Sequence, residues 1–356
     1  MLIKRVDTYA IDVPAPHKGG QIWVFVKLTT DNGIEGWGEC NAIFSKEKTV
    51  VQLVNELAEK AIIGKMNPFN IEKLWMSLYE FDGCHFSRHP AVVENQAIAA
   101  IEMACWDIVG KSLNQPIYNL LGGVYHEKLR SYTYMNYRDW SPGKAADIAA
   151  REAAQLVKEG FTAIKLDPII PLCPQPRELT MKDLQYAEDV IRSVREAVGN
   201  NADILIGTHG QFTTSMAIRF AKRMEKYDPF WFEEPVPMEN VDEMAQVARA
   251  TTIPVATGER LATKWEYLPL FEKHAARIIQ INVGLNGILE SKKIAGMAES
   301  HFAQISPWMY CGPIAGAANI QLDVCSPNFV MQEGIEHWDG FHAEILKEPI
   351  KWEKGY

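Results

Sequence analysis

The stretch Ala163-Ile164-Lys165-Leu166-Asp167-Pro168, an amphipathic run over 182–198, and then Ile204-Leu205-Ile206-Gly207-Thr208-His209 decide the fold. A short β run, a helix of 3.6-residue period and a second short β run make one parallel βα unit. Outward from it the pattern repeats from about residue 129 to the end of the chain. Strands are expected at 131–135, 163–166, 204–208, 230–232, 254–257, 278–282, 303–306 and 329–332, with helical stretches between them such as 144–159, 214–226, 241–250 and 289–300. Eight units close a barrel, whereas five or six would leave an open doubly wound sheet. The expected class is therefore α/β, a (β/α) TIM-type barrel.

The first third reads differently. Residues 5–13, 21–30 and 33–40 are rich in β-branched and aromatic side chains, broken by proline and by the hairpin signal Asp31-Asn32-Gly33, which predicts an antiparallel meander. Helical spacing follows over 49–63, 71–79 and 91–109, the last with an alanine-rich face suited to close packing. Pro116-Ile117-Tyr118-Asn119-Leu120-Leu121-Gly122-Gly123 reads as a short helix stopped by glycine. An N-terminal α+β unit over 1–125 and a barrel over 126–356 are the expected domains.

A length of 356 residues suits that division, since a barrel takes about 250. Net charge is −9 and the basic residues are scattered, so the footprint of a nucleic-acid binder is missing. An acidic ligand must then be met locally, by a metal or a few placed cations. Cys40, Cys84, Cys105, Cys173, Cys311 and Cys325 are widely spaced with no CxxC pair, which reads as reduced thiols and a cytoplasmic location. No secretory segment and no apolar run of membrane-spanning length is visible, so no membrane partner is expected.

Reactive groups of a (β/α) barrel project from the C-terminal strand ends, where the βα loops surround the open mouth. Strand two ends Lys165-Leu166-Asp167, strand three Gly207-Thr208-His209, strand four Glu233-Glu234-Pro235 and strand five Gly258-Glu259-Arg260. Strand six ends at Asn282, strand seven at Ser306-Pro307-Trp308 and strand eight at Gln332-Glu333. Carboxylates converging on one mouth repel unless a cation neutralises them, and hard oxygen donors without cysteine favour Mg²⁺. A single strand-end glutamate could equally pair with Arg260 or Lys165; Glu233 and Glu259 together, on neighbouring strands, favour a metal.

Trp231-Phe232-Glu233-Glu234-Pro235-Val236 followed by Ala256-Thr257-Gly258-Glu259-Arg260 resembles the two glutamate ligand motifs of the mandelate racemase branch of the enolase superfamily. Gly33-Ile34-Glu35-Gly36-Trp37-Gly38-Glu39, the run from Ile101 to Lys111, and Pro116 to Gly123 look like that family's capping domain. The resemblance spans nearly the whole chain. It implies Mg²⁺ holding a substrate carboxylate while a base removes the α-proton to give an enediolate. The sugar-acid dehydratases, galactonate dehydratases among them, look most similar. They imply conversion of an aldonate or aldarate to a 2-keto-3-deoxy acid. By the same resemblance Glu233 and Glu259 match metal ligands, Glu333 a hydrogen-bond partner of the substrate carboxylate, His209 the general acid for the departing hydroxide, and Lys165 the first lysine of a KxK pattern.

Four positions depart from the family. Gly207 stands where strand three would supply an aspartate ligand, Asp167 where a second lysine would be the base, and Asn282 and Trp308 where an Asp–His dyad would stand. Asp167 is expected either to replace the lost ligand, with room left by Gly207, or to cap the loop beginning at Pro168. His209 is favoured as the base over Lys165, with a supporting role beside a carboxylate as its alternative. Arg260, Asn282, Trp308, Tyr134, Tyr137 and Arg138 are candidate substrate contacts. The capping loops add His17 and the segment Cys84 to His89, including His85 and Arg88. The chain stops at Tyr356, short of the C-terminal segment usual in relatives, and reads as truncated. Alternative readings are a racemase, epimerase or cycloisomerase of the same superfamily, a Schiff-base aldolase using Lys165, and an impaired homologue that only binds sugar acids. A symmetric homo-oligomer is expected.

Overall fold

A computed structural model describes residues 1–41, 47–80, 92–136, 140, 143–169, 172, 177–335 and 337–356. Alternating apolar residues build an antiparallel sheet of β1 (Ile3–Asp12), β2 (Ile22–Thr30) and β3 (Glu35–Cys40). Gly33, at φ 85°, makes the turn that brings the Thr30 amide to the Ile34 carbonyl. Four helices follow: α1 (Glu47–Leu57), running into a π-helical turn over Ala58–Ile62, then α2 (Ile71–Tyr79), α3 (Val92–Leu113) and α4 (Ile117–Leu120). The alanine face of α3 lies directly on β3. A Cβ on Gly36 or Gly38 would overlap the carbonyl oxygens of Ala104 and Ala100, so only glycine allows this approach.

The remainder alternates β4 (Ser131–Tyr134), α5 (Ala145–Glu159), β5 (Ala163–Leu166), α6 (Met181–Val198), β6 (Asp203–Ile206), α7 (Thr214–Met224), β7 (Trp231–Glu233) and α8 (Val241–Ala250). It continues through β8 (Val255–Thr257), α9 (Thr263–Glu272), β9 (Ile278–Ile279), α10 (Val283–Ser300), β10 (Gln304–Ile305), α11 (Pro313–Val324) and β11 (Gln332–Glu333). The strands pair in parallel in the order β10-β9-β8-β7-β6-β5-β4-β11. A parallel bridge between Ile305 and Phe329, just before β11, joins the two ends of that sheet. Tyr132, Ala163, Leu205, Trp231, Ala256, Ile278 and Met331 fill the interior, large beside small, while the larger apolar layer lies between strands and helices.

The expected barrel and N-terminal α+β unit are thus the observed architecture. Periodicity left α9 and α11 unnamed: Pro269 interrupts the first, and the second is so small and apolar that it shows no polar face. Helix α10 starts six residues earlier than its apolar period, before a kink at Gly287 with φ 75°. Of the cysteines, Cys40, Cys105, Cys311 and Cys325 are buried free thiols, while Cys84 and Cys173 lie outside the described residues. Among the described residues no helix is long and apolar enough to cross a membrane.

Two buried carboxylates lock the N-terminal unit onto the barrel. Glu102 of α3 accepts the amides of Ile288 (2.8 Å) and Leu289 (2.8 Å) just past the kink of α10, and the Trp106 indole at 2.7 Å. Glu39 of β3 accepts the amides of Gly312, Ile314 (3.1 Å) and Ala315 (2.9 Å), capping α11. Each carboxylate meets the positive end of a barrel helix. Replacing Glu102 by Ala leaves buried N–H groups unsatisfied, and the expected loss is about 1–3 kcal/mol of unfolding free energy. Urea denaturation checks it; an unchanged midpoint would mean that this contact contributes nothing to holding the units together.

Candidate active site at the barrel mouth

Parallel strands bring all their C-terminal ends to one face, so the expected residues share a mouth. At its floor the Lys165 ammonium touches the Glu233 carboxylate and stands 3.7 Å from Glu333, all three side chains nearly inaccessible to solvent. The other Glu233 oxygen accepts the Trp231 indole N–H at 3.1 Å and the Gln280 amide at 2.6 Å. Glu333 accepts the Met309 amide at 2.8 Å. Burial by itself would lower the Lys165 pKa, but the charges of Glu233 and Glu333 carry it well above its ordinary value. Lys165 is therefore a fixed cation.

Around it negative charge is in surplus. Burial pushes Glu333 up to about 7, with Lys165 pulling the other way, and burial together with the charge of Glu233 pushes Glu259 up to about 7. Burial and Glu259 also raise Glu234, which Arg260 meets at 2.8 Å while lying 3.7 Å from Glu259. Five carboxylates (Asp167, Glu233, Glu234, Glu259, Glu333) thus face two permanent cations, Lys165 and Arg260. Hard oxygens with a net negative charge fit a hard divalent cation. Glu233 and Glu259 leave the paired strands β7 and β8, and the two oxygens of Glu233 already meet Lys165 on one side and Trp231 and Gln280 on the other. Among the described residues no three His, Cys, Asp or Glu side chains form a ready cage.

Strand three braces strand four. The Thr208 hydroxyl donates to the carbonyls of Glu233 (2.6 Å) and Glu234 (2.8 Å), and the Gly210 amide to that of Glu234 at 2.8 Å. These bonds hold Glu234 at φ 39°, a left-handed conformation costly for a residue with a side chain. The consecutive glutamates serve different cations, Glu233 meeting Lys165 and Glu234 meeting Arg260.

Asp167 is fully buried, and burial raises its pKa. Its Oδ2 receives the Tyr134 hydroxyl and lies 3.2 Å from His209 Nδ1, while its Oδ1 has no hydrogen-bond partner among the described residues and fills the space beside Gly207. The carboxylate does occupy the room left by the missing strand-three side chain. Among the described residues its partners are Tyr134 and His209; most of the loop that starts at Pro168 lies outside them.

Other expected contacts are placed as follows. The Asn282 amide donates to the Glu259 carbonyl at 3.1 Å and so steadies the end of strand five. Trp308 packs in a buried cluster with Met309, Cys311, Ala315, Ile335 and Trp338. His17 turns its Nδ1 to the Val13 carbonyl at 2.7 Å, in a loop seated on strand seven's extension, where a Cβ on Gly19 would overlap the Cys311 carbonyl. Tyr137, Arg138, His85 and Arg88 lie outside the described residues. Sequence reasoning missed Trp231 and Gln280 as partners of Glu233. Trp231 was within reach, since residues two apart on a strand share a face.

Residues 9–122 match the model of the mandelate racemase/muconate lactonizing enzyme N-terminal domain, and residues 149–356 that of the enolase C-terminal domain-like family. D-galactonate dehydratase of Ralstonia nicotianae is 34% identical over 97% of this chain and 85% of its own length. D-gluconate/D-galactonate dehydratase of Picrophilus torridus is 32% identical over 94% of this chain and 83% of its own. A solved structure from Labrenzia alexandrii DFL-11, provisionally assigned to the mandelate racemase/muconate lactonizing enzymes, superposes with a TM-score of 0.93 at 47% identity, covering 100% of this chain and 91% of that one. The chain belongs to the mandelate racemase/muconate lactonizing enzyme family of the enolase superfamily.

Proposed function

We propose that the protein is a sugar-acid dehydratase, a hydro-lyase that takes an aldonate or aldarate to a 2-keto-3-deoxy acid. One observation carries the reading: an exposed imidazole, His209, stands at a mouth floored by carboxylates and a fixed ammonium, in a chain whose relatives over nearly its full length are named galactonate and gluconate/galactonate dehydratases. Lys165 and Arg260 are already paired with carboxylates, so an acid substrate would need further positive charge at this mouth, which a bound divalent cation would supply.

Glu233 and Glu259 would hold Mg²⁺, with water or substrate oxygens as its remaining ligands, as this ion commonly accepts. When bound, it would supply positive charge for the substrate carboxylate and for the enediolate that develops from it. Lys165, held protonated between Glu233 and Glu333, is a poor base and a poor Schiff-base nucleophile, and serves as an electrostatic anchor. His209 then takes the α-proton as the Cα–H electrons move toward the carboxylate. The same imidazolium returns that proton to the β-hydroxyl as its C–O bond breaks, releasing one water and an enol that tautomerises to the keto acid. Asn282 and Trp308, bracing the mouth where a second acid–base pair would stand, favour a second reading, a barrel that binds sugar acids without turnover.

Incubation with D-galactonate, D-gluconate and a panel of aldarates, with Mg²⁺ or with EDTA, is expected to yield a 2-keto-3-deoxy acid from at least one acid and only with the metal. Binding of these acids without product would favour the second reading. Glu259→Gln should lower kcat by ~10²-fold or more. Lys165→Met, in chelated protein, should cost about 3–5 kcal/mol of stability at pH 8 by leaving buried carboxylates unpaired. Glu333 is already raised to about 7 when folded. A raised carboxyl contributes stability fully below its unfolded pKa and loses it as pH rises through the folded one, so the cost should shrink by pH 5. A cost equal at both values, measured by urea melts, would contradict the role given to Lys165.

A further inference from the structure

We infer that Tyr134, Asp167 and His209 form a single positioning chain, in which Asp167 fixes the tautomer and ring orientation of His209 rather than binding a metal. The inference rests on the dehydratase reading for what His209 does, but not for how it is held. Three observations on three adjacent strands carry it. Asp167 Oδ2 lies 3.2 Å from Nδ1 of His209, so the neutral ring presents its hydrogen on Nδ1 and its lone pair on Nε2. The Tyr134 hydroxyl donates to that same Oδ2, pinning the carboxylate from strand one. Gly207, two residues before His209, has no side chain, and a Cβ there would overlap Asp167 Oδ1. Asp167 can therefore stand beside His209 only because Gly207 makes room. The imidazole is the one exposed member, its side chain 38% accessible against 0% for Asp167, which leaves Nε2 for a ligand at the mouth.

A buried carboxylate that fixes an imidazole tautomer acts through the ring, so its loss should appear in turnover and not in binding. Asp167 and Tyr134 are positioning residues in this sense. Asp167→Asn should lower kcat on the aldonate by ~10²-fold or more with KM changed less than about twofold, since an amide presents the wrong hydrogen to Nδ1. It should leave Mg²⁺ affinity, measured by calorimetry, unchanged.

¹⁵N-histidine NMR of the whole protein without substrate, with His209 assigned through His209→Asn, reads the tautomer directly. The Nδ1–H form is expected in the native chain and a mixture in Asp167→Asn. Tyr134→Phe, which removes one hydroxyl and keeps the ring, should retain the tautomer with a smaller loss of kcat, and it serves if Asp167→Asn does not fold. An Nε2–H form in the native chain overturns the inference, as does a fall in Mg²⁺ affinity in Asp167→Asn with the tautomer intact. The NMR arm decides even if no sugar acid is turned over, so failure of the dehydratase reading would be seen separately.

Discussion

A buried ammonium shared by buried carboxylates is the constraint around which this molecule is organised. Lys165 leaves strand two of the barrel with nowhere to go but inward, and Glu233 and Glu333 arrive from strands four and eight. Removing three charges from water is tolerable only when each is met, and here each is: by one another, by Trp231 and Gln280, and by the Met309 amide. Strands two, four, six and eight are thus tied through side chains at one level of the barrel. Beyond this knot Glu234 meets Arg260, Asp167 meets Tyr134 and His209, and Glu259 lies 3.7 Å from Arg260.

The N-terminal unit answers a related requirement at the rim. Helix α11 and the part of α10 past its kink at Gly287 start next to the N-terminal unit, and their first amides would be left without partners by packing against an apolar lid. Glu102 and Glu39 meet them from α3 and β3. Burial pushes both carboxyls up to about 7 even though N–H groups pull them down. Two glycine-enabled approaches, β3 on α3 and the Gly19 loop on Cys311, set the lid's distance. Its position over the strand-seven end is therefore fixed by hydrogen bonds with one acceptable geometry, not by sliding apolar surfaces.

Much of this was legible in the sequence because its signals are local. The 163–166 strand, the 71–79 and 241–250 helices and the hairpin turn at Asp31-Asn32-Gly33 follow from periodicity and turn chemistry alone, and counting eight βα units led to the barrel. The strand-end residues could be named because parallel topology dictates which end is open. What could not be read was which partner each side chain takes. Glu39 and Glu102 lie 273 and 186 residues from amides they accept, a separation that no local pattern encodes. Gln280 is one polar residue in an apolar strand, and it donates to Glu233. Asn282 and Trp308, expected at the substrate, also take partners that the sequence did not name, a carboxamide on the Glu259 carbonyl and an indole in an apolar cluster.

Gly207 is the position where absence of a side chain carries the most information. A carboxylate there would add to a mouth already short of positive charge, and it would evict Asp167 from the side of His209. In the proposed mechanism Asn282 and Trp308 offer no acid–base pair, His209 takes that role, and the carboxylate beside it needs the volume that Gly207 leaves. Under the proposed mechanism, an imidazole acting as both acceptor of the α-proton and donor to the β-hydroxyl would reach only one face of a bound sugar acid. Hydrogen and hydroxyl must then depart from the same side of the carbon chain, which restricts acceptable substrates by their configuration at the two carbons next to the carboxylate rather than by overall size.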